Sequence, residues 1–190
     1  MSQQAGDVQQ PPGIRGRRVA PTALRIEQRP TSHRDAALLI EAVQQEYVER
    51  YGGRDNTPMD PSELAPPAGA FFVGYLDDRP VATGAWRFRP DVTRLGSTRA
   101  AEVKRMYVAP SARRQGLAQR MLTHLEATAR QAGADVMILE TGTAQPEAMA
   151  FYEAAGYQRV EPFGHYAWSP RNRCYGRVLA DVDQPGPTYR

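Results

Sequence analysis

Between Glu102 and Glu140 the chain runs strand, small-residue turn, long amphipathic helix, strand, and this run limits the fold more than any other feature. Glu102 to Val108 has the residue types of a strand. A helix follows from about Arg114 to Ala132, in which Leu117, Met121, Leu122, Leu125 and Ala129 recur at helical spacing. Gly133 ends it, and Val136 to Glu140 reads as a buried strand. Such a β-α-β unit requires a sheet with helices packed on it, an α/β architecture.

The turn inside this unit is Ala109-Pro110-Ser111-Ala112 followed by Arg113-Arg114-Gln115-Gly116-Leu117-Ala118. A small-residue turn opening a helix points backbone N–H groups outward at the positive end of the helix dipole, a cradle for a pyrophosphate. Gly116 and Ala118 would let phosphates approach the backbone, while Arg113 and Arg114 add charge. The same string also fits an ordinary helix start with solvated arginines. It is not a P-loop, because no Gly-Lys-Ser/Thr follows, and it lacks the three spaced glycines of a dinucleotide fingerprint.

The other elements flank this unit. Leu24 to Gln28 reads as a first strand, and Thr31 and Ser32 offer cap oxygens for a helix through Arg50, stopped by Gly52-Gly53. Phe71 to Leu76 and Val81 to Phe88 form a hairpin across Asp77-Asp78-Arg79-Pro80. Pro146 to Ala155 is a short helix with Pro in its first turn and Gly156 beyond its end. Tyr157 to Glu161 and Cys174 to Asp181 complete about seven strands, with a largely antiparallel N-terminal half. Residues 1–22, rich in Gln, Gly, Pro and Arg, bury too little apolar surface to offset ordering entropy and are expected to be a disordered basic tail. Residues 183–190 are expected to be a flexible tail, leaving 23–182 as one domain.

Composition narrows the function classes. No apolar run approaches the roughly 20 residues that span a bilayer, and no leading segment resembles a secretory signal, so no membrane role and a cytoplasmic address are the expectations. One cysteine, Cys174, and three scattered histidines speak against a metal site. Cys174 lies on a predicted strand without a neighbouring His, as a buried structural thiol would. The net charge of +3 owes much to Arg15, Arg17 and Arg18; no aromatic stacking motif accompanies them, and no specific nucleic-acid partner is expected.

The strand, the R-x-x-G-x-A turn and the helix resemble the acetyl-CoA-binding motif of the GNAT superfamily of N-acetyltransferases, written Q/R-x-x-G-x-G/A. Ala148-Met149-Ala150-Phe151-Tyr152-Glu153-Ala154-Ala155-Gly156-Tyr157 resembles its second signature, A-x-x-F-Y-x-x-x-G-F/Y. The resemblance covers about residues 23–182. It implies a mixed, mostly antiparallel sheet with flanking helices and a V-shaped splay between its central strands. It also implies an acetyl-CoA co-substrate whose pantetheine arm lies along Met106, Tyr107 and Val108. The pyrophosphate would lie on Arg113, Arg114, Gln115, Gly116, Leu117 and Ala118. Further cofactor contacts would come from Ala148, Tyr152 and Gln145, the last standing where the family often has Asn.

Acetyl transfer to an amine needs a group to take a proton from the ammonium and one to protonate the departing thiolate. The resemblance places Tyr152 as the acid; a phenol packed as core is the other reading. Glu102 stands where some relatives carry a general-base glutamate. A half-desolvated carboxylate can be raised toward neutrality and serve as a base, or it can pair with nearby Arg and Lys. Direct attack of the amine, without an acetyl-enzyme, is the simpler expectation. The acceptor walls are expected from Tyr47, Tyr51, residues 52–68, Glu140 to Gly142, and an aromatic lip within Phe163 to Arg173. The acceptor is a small-molecule amine or a protein amino group. Homodimers are a family expectation, and an acyl-CoA sensor with little catalysis is the alternative function.

Overall fold

A computed structural model describes residues 23–179. The two expected tails and the domain's far end at 182 lie outside the described residues. Seven strands form one sheet: β1 (Arg25–Gln28), β2 (Gly69–Leu76), β3 (Arg79–Phe88), β4 (Ala100–Val108), β5 (Val136–Gly142), β6 (Gln158–Arg159) and β7 (Asn172–Val178). Their spatial order is β1-β2-β3-β4-β5-β7-β6. Every neighbouring pair is antiparallel except β4 and β5, which the intervening helix α2 (Leu117–Gln131) makes parallel.

The alternation of β2 and β3 decides which helix covers which face. Phe71, Val73, Tyr75 and Ala85 share a cluster with Ala36 and Leu39 of helix α1 (Arg34–Tyr51). Phe72, Ala82 and Trp86 face the other way, into a cluster with Met121, Leu122, Leu125 and Ala129 of α2. Trp86 adds a directed contact there, its indole N–H donating to Thr128 Oγ1 at 3.0 Å. Helix α3 (Pro146–Ala154) joins the same side through Tyr152.

Two helix starts differ from expectation. Pro30 to His33 form a turn closed by the His33 N–H on the Pro30 carbonyl at 2.9 Å. Thr31 and Ser32 lie inside that turn, so His33 caps α1, its Nδ1 accepting from the Asp35 N–H at 3.3 Å. Helix α2 begins three residues later than expected, at Leu117, because Arg114 and Gly116 hold left-handed backbone with φ of 61° and 73°. Left-handed residues cannot continue a right-handed helix, so the chain spends Arg113 to Gly116 in an exposed turn instead.

The sheet opens at its centre. The β4–β5 ladder covers only Ala100, Ala101 and Glu102 against Val136, Met137 and Ile138. Beyond it β4 stays paired with β3 as far as Val108, and β5 stays paired with β7 as far as Gly142. Two strands that share an origin and then follow different partners must splay apart. The wedge between them is the expected V-shaped opening.

Candidate active site

A bulge on β4 sits at the mouth of the wedge. Thr83 pairs with Tyr107 and Ala85 with Lys104, so Arg105 and Met106 both lie opposite Gly84, and Arg105 takes φ 52°. The buried Thr83 hydroxyl donates to the Arg105 carbonyl at 2.8 Å, and the Arg105 guanidinium reaches Asp55 Oδ2 at 2.6 Å. The bulge therefore takes backbone out of the β3 ladder where the β5 ladder has already ended.

The wedge holds a cavity of about 400 Å³. Lys104 of β4 and Glu140 to Gly142 of β5 form its walls, Tyr47 and Tyr51 of α1 lean over it, and Tyr166 and Trp168 close the far side. Helix α1 is tied down there: the Tyr51 hydroxyl donates to Gln145 Oε1 at 3.1 Å, and Arg50 donates to the Ala144 carbonyl at 3.1 Å and pairs with Glu147. Gly142 is the close approach that permits this, since a Cβ there would run into the Tyr51 phenol.

Gly116 stands at the N-terminus of α2. Among the described residues, the backbone N–H groups of Arg114 through Gln119 donate to no backbone acceptor. They cap a four-turn helix whose dipole favours an anion at that end. The surface is open: a Cβ built on Gly116 meets nothing within 4 Å. These features fit a diphosphate. Arg113, expected to add charge, is otherwise engaged, its Nε donating to the Val108 carbonyl at 2.9 Å and its Nη2 reaching Glu46 at 2.5 Å. Arg114 and Gln115 remain exposed beside the turn, and Ala118 is half-buried.

Tyr152 is nearly buried, its hydroxyl donating to Met106 Sδ at 3.5 Å. Burial, reinforced by Tyr47, pushes its pKa well above the ordinary phenol value. It is not among the residues that line the cavity, whereas Tyr47, whose pKa burial pushes up to about 12, lines it directly. Gln145 caps α3 by position, and its Oε1 accepts from Tyr51 and from Thr141 Oγ1 at 3.2 Å. Ala148 packs half-buried beside the main core, as do Met106 and Val108; Tyr107 is half-buried against the α1 cluster.

The two glutamates of the wedge have opposite environments. Glu102 is fully buried in a cationic cage: Arg87 Nε is 2.9 Å and Arg89 Nη1 2.7 Å from Oε2, and Lys104 Nζ is 3.4 Å from Oε1. Burial alone would raise its pKa, but Lys104, Arg87 and Arg89 together hold it below the ordinary carboxylate value. A raised, proton-accepting Glu102 is therefore not what forms; pairing with Arg and Lys is. Glu140 is the reverse. Burial pushes its pKa up, Lys104 opposes and the Glu102 charge reinforces the rise, leaving it above the ordinary value. It lines the cavity, with Asn172 Nδ2 donating to Oε1 at 3.0 Å.

The aromatic lip is only partly as expected. Tyr166 and Trp168 line the cavity, but Phe163 is buried with Val92, Ile138 and Cys174 in a separate cluster. Cys174 itself is buried, and burial raises its thiol pKa. Lys104 was the residue sequence reasoning missed at the cavity, whereas Asp55 falls within the wall expected from residues 52–68. Alternation along β4 places Lys104 on the same face as Glu102, the one signal that could have found it.

With this geometry the comparisons agree. The sequence model of the acetyltransferase (GNAT) family matches residues 40–157. An IAA acetyltransferase of Azospirillum brasilense is 33% identical over 132 residues, covering 70% of this chain and 82% of its own. A Klebsiella pneumoniae structure named as an acyl-CoA N-acyltransferase superposes with TM-score 0.67 at 26% identity, over 83% of this chain and 98% of that one. An acetyltransferase from Salmonella typhimurium, solved with acetyl-CoA, shares the fold at TM-score 0.59 and 14% identity, covering 86% of this chain and 98% of its own. The matched residues include both strands of the wedge and the turn before α2, and this chain belongs to the acetyltransferase (GNAT) family.

Proposed function

We propose that residues 23–182 form an N-acetyltransferase that moves the acetyl group of acetyl-CoA directly to a primary amine held in the wedge cavity. The observation that carries this reading is the placement of a largely buried carboxylate, Glu140, on the wall of a cavity that opens where β4 parts from β5. Acetyl as the acyl group is supported by the family and by the Azospirillum relative's description.

The free amide row from Arg114 to Ala118 holds the diphosphate, and the bulged backbone around Met106 and Val108 binds the pantetheine arm. Bound acetyl-CoA supplies an activated thioester. Glu140, rather than Glu102, takes the proton from the acceptor ammonium, because it borders the cavity and burial raises its pKa above the ordinary carboxylate value, whereas that of Glu102 is lowered. The amine nitrogen then forms its bond to the acetyl carbon as the carbon–sulfur bond breaks, and the second proton it sheds in becoming an amide makes good the one that Tyr152 gives up. Tyr152, kept protonated by burial, gives its proton to the departing sulfur, which takes over the hydrogen bond now accepted by Met106 Sδ. Glu102 serves to hold Arg87, Arg89 and Lys104 in place beside the bulge.

Initial rates of thiol release, with acetyl-CoA and an accepted amine varied together, test the reading. Intersecting double-reciprocal lines are expected, and Tyr152→Phe is expected to lower kcat about a hundredfold. Parallel lines, or an unchanged kcat in the variant, contradict direct transfer or the Tyr152 assignment respectively.

A further inference from the structure

Two cations that line the wedge cavity, Lys104 and Arg171, have side-chain donors left unused among the described residues. Lys104 is nine-tenths buried, with its side chain 10% exposed, and it lines the cavity. Its ammonium has three protons to donate. Yet it makes no hydrogen bond among the described residues, only the 3.4 Å ion pair to Glu102 Oε1. Glu102 is already bound through its other oxygen by Arg87 and Arg89, which Glu63 and Asp91 also pair, so among the described residues Lys104 shares its one carboxylate partner with two other cations.

The carboxylates that line the cavity are engaged with other partners. Asp55 is held by Arg105 Nη1 at 2.6 Å and by the Thr57 hydroxyl at 2.6 Å. Glu140 is bound by Asn172 and makes no ion pair with Lys104 within 4 Å among the described residues. At the rim, the Arg54 guanidinium is matched by Glu41, while that of Arg171 makes no ion pair or side-chain hydrogen bond among the described residues. Lys104 in the wall and Arg171 at the mouth are therefore left facing the same space.

We infer that the acceptor amine also carries a carboxylate, bound by Lys104 Nζ with Arg171 at the cavity mouth. This rests on the acetyltransferase reading and narrows its acceptor. A single negative charge fits better than a phosphate, because Glu140 and Asp55 border the same cavity and would oppose a dianion. The size agrees: about 400 Å³, shared with the acetyl end of the donor, suits a small amino acid-like molecule rather than a protein chain. Tyr47, Tyr51, Tyr166 and Trp168 supply aromatic walls for the remainder of such a molecule.

The test uses matched pairs that differ only in carboxylate versus carboxamide: L-phenylalanine and its amide, L-methionine and its amide, 4-aminobenzoate and 4-aminobenzamide. Each is titrated calorimetrically into the protein saturated with CoA, and each is assayed for thiol release from acetyl-CoA. In at least one pair the carboxylate member is expected to bind at least about tenfold tighter, the scale of a lost charge-assisted contact. Lys104→Met should erase that preference and Lys104→Arg should restore most of it. Arg171→Gln, at the exposed rim, should reduce it several-fold with no risk to the core. Equal or weaker binding of the carboxylate in every pair overturns the inference, as does binding of neither member. So does a preference that survives both Lys104→Met and Arg171→Gln. A separate titration of CoA into the protein alone separates the two levels: absence of CoA binding in folded protein sinks the transferase reading itself, whereas its presence with no carboxylate preference sinks only the inference.

Discussion

Glu102 and Glu140 show how much a residue's role depends on what the chain places beside it. Both are strand glutamates near the same wedge, yet one has three cations around it and the other has Asn172 and the Gly164 backbone. Their variants should therefore fail differently. In Glu140→Gln, kcat/KM is expected to fall about a hundredfold or more, with loss of the acidic limb of the pH profile. In the wild type that limb descends as pH falls through the raised Glu140 pKa, because only the carboxylate accepts a proton. An unshifted limb in the variant excludes Glu140 as the base. Glu102→Gln should instead destabilise the fold by about 3 kcal/mol in urea unfolding, since it strands buried cations. The folded-state pKa of Glu102 is depressed, so its contribution is present above the unfolded value of about 4.3 and is lost as pH falls through the folded value. The variant should lack that acid-dependent component. A stability equal to wild type at neutral pH would falsify the cage. Sequence alone offered Glu102 as the candidate base and Glu140 only as a cavity wall, because Arg87 and Arg89 reach Glu102 only once β3 is paired with β4.

Elements were more legible than side-chain roles, and the reason is local. The buried stripe of α2, Leu117, Met121, Leu122, Leu125 and Ala129, is the set the helical spacing predicts. The stop signals at Gly52 and Gly133 fall at the ends of α1 and α2, and Gly156 lies two residues beyond α3. The start of α2 was not legible to the residue, because the left-handed turn at Arg114 is set by backbone geometry that Arg does not advertise. Gly84 shows how tightly this helix sits: a Cβ there would lie 2.9 Å from Leu125 Cδ1 and Met121 Cγ. Gly84→Ala is expected to cost about 1–3 kcal/mol by overpacking, read as a lowered urea midpoint with unchanged slope. An unchanged midpoint would mean that α2 packs on β3 more loosely than the clusters imply.

For the molecule as a whole, function follows from one topological event, the departure of β4 from β5 after three paired residues. A continuous sheet would close the wedge; here each strand keeps its outer partner, so the opening is held by ladders on both sides. Helix α1 bridges it by way of Tyr51 and Arg50, and the turn between β4 and α2 carries amides with no backbone acceptor among the described residues. Among the described residues no helix is long and apolar enough to cross a membrane. The splay was foreseen only through the family resemblance, since strand divergence is a property of pairing between distant segments that no local pattern records. The cavity's charge balance could be read only after folding, for the same reason.

Calorimetric titration of acetyl-CoA into the wild type and Gly116→Val tests the central claim, that the amide row before α2 grips a diphosphate and so aims the thioester into the wedge. The account predicts saturable one-to-one binding to the wild type. It predicts binding weakened at least about tenfold in Gly116→Val, whose side chain crowds the amides and strains a φ of 73°. Absence of heat with well-folded wild type, or equal affinity in the variant, would contradict it.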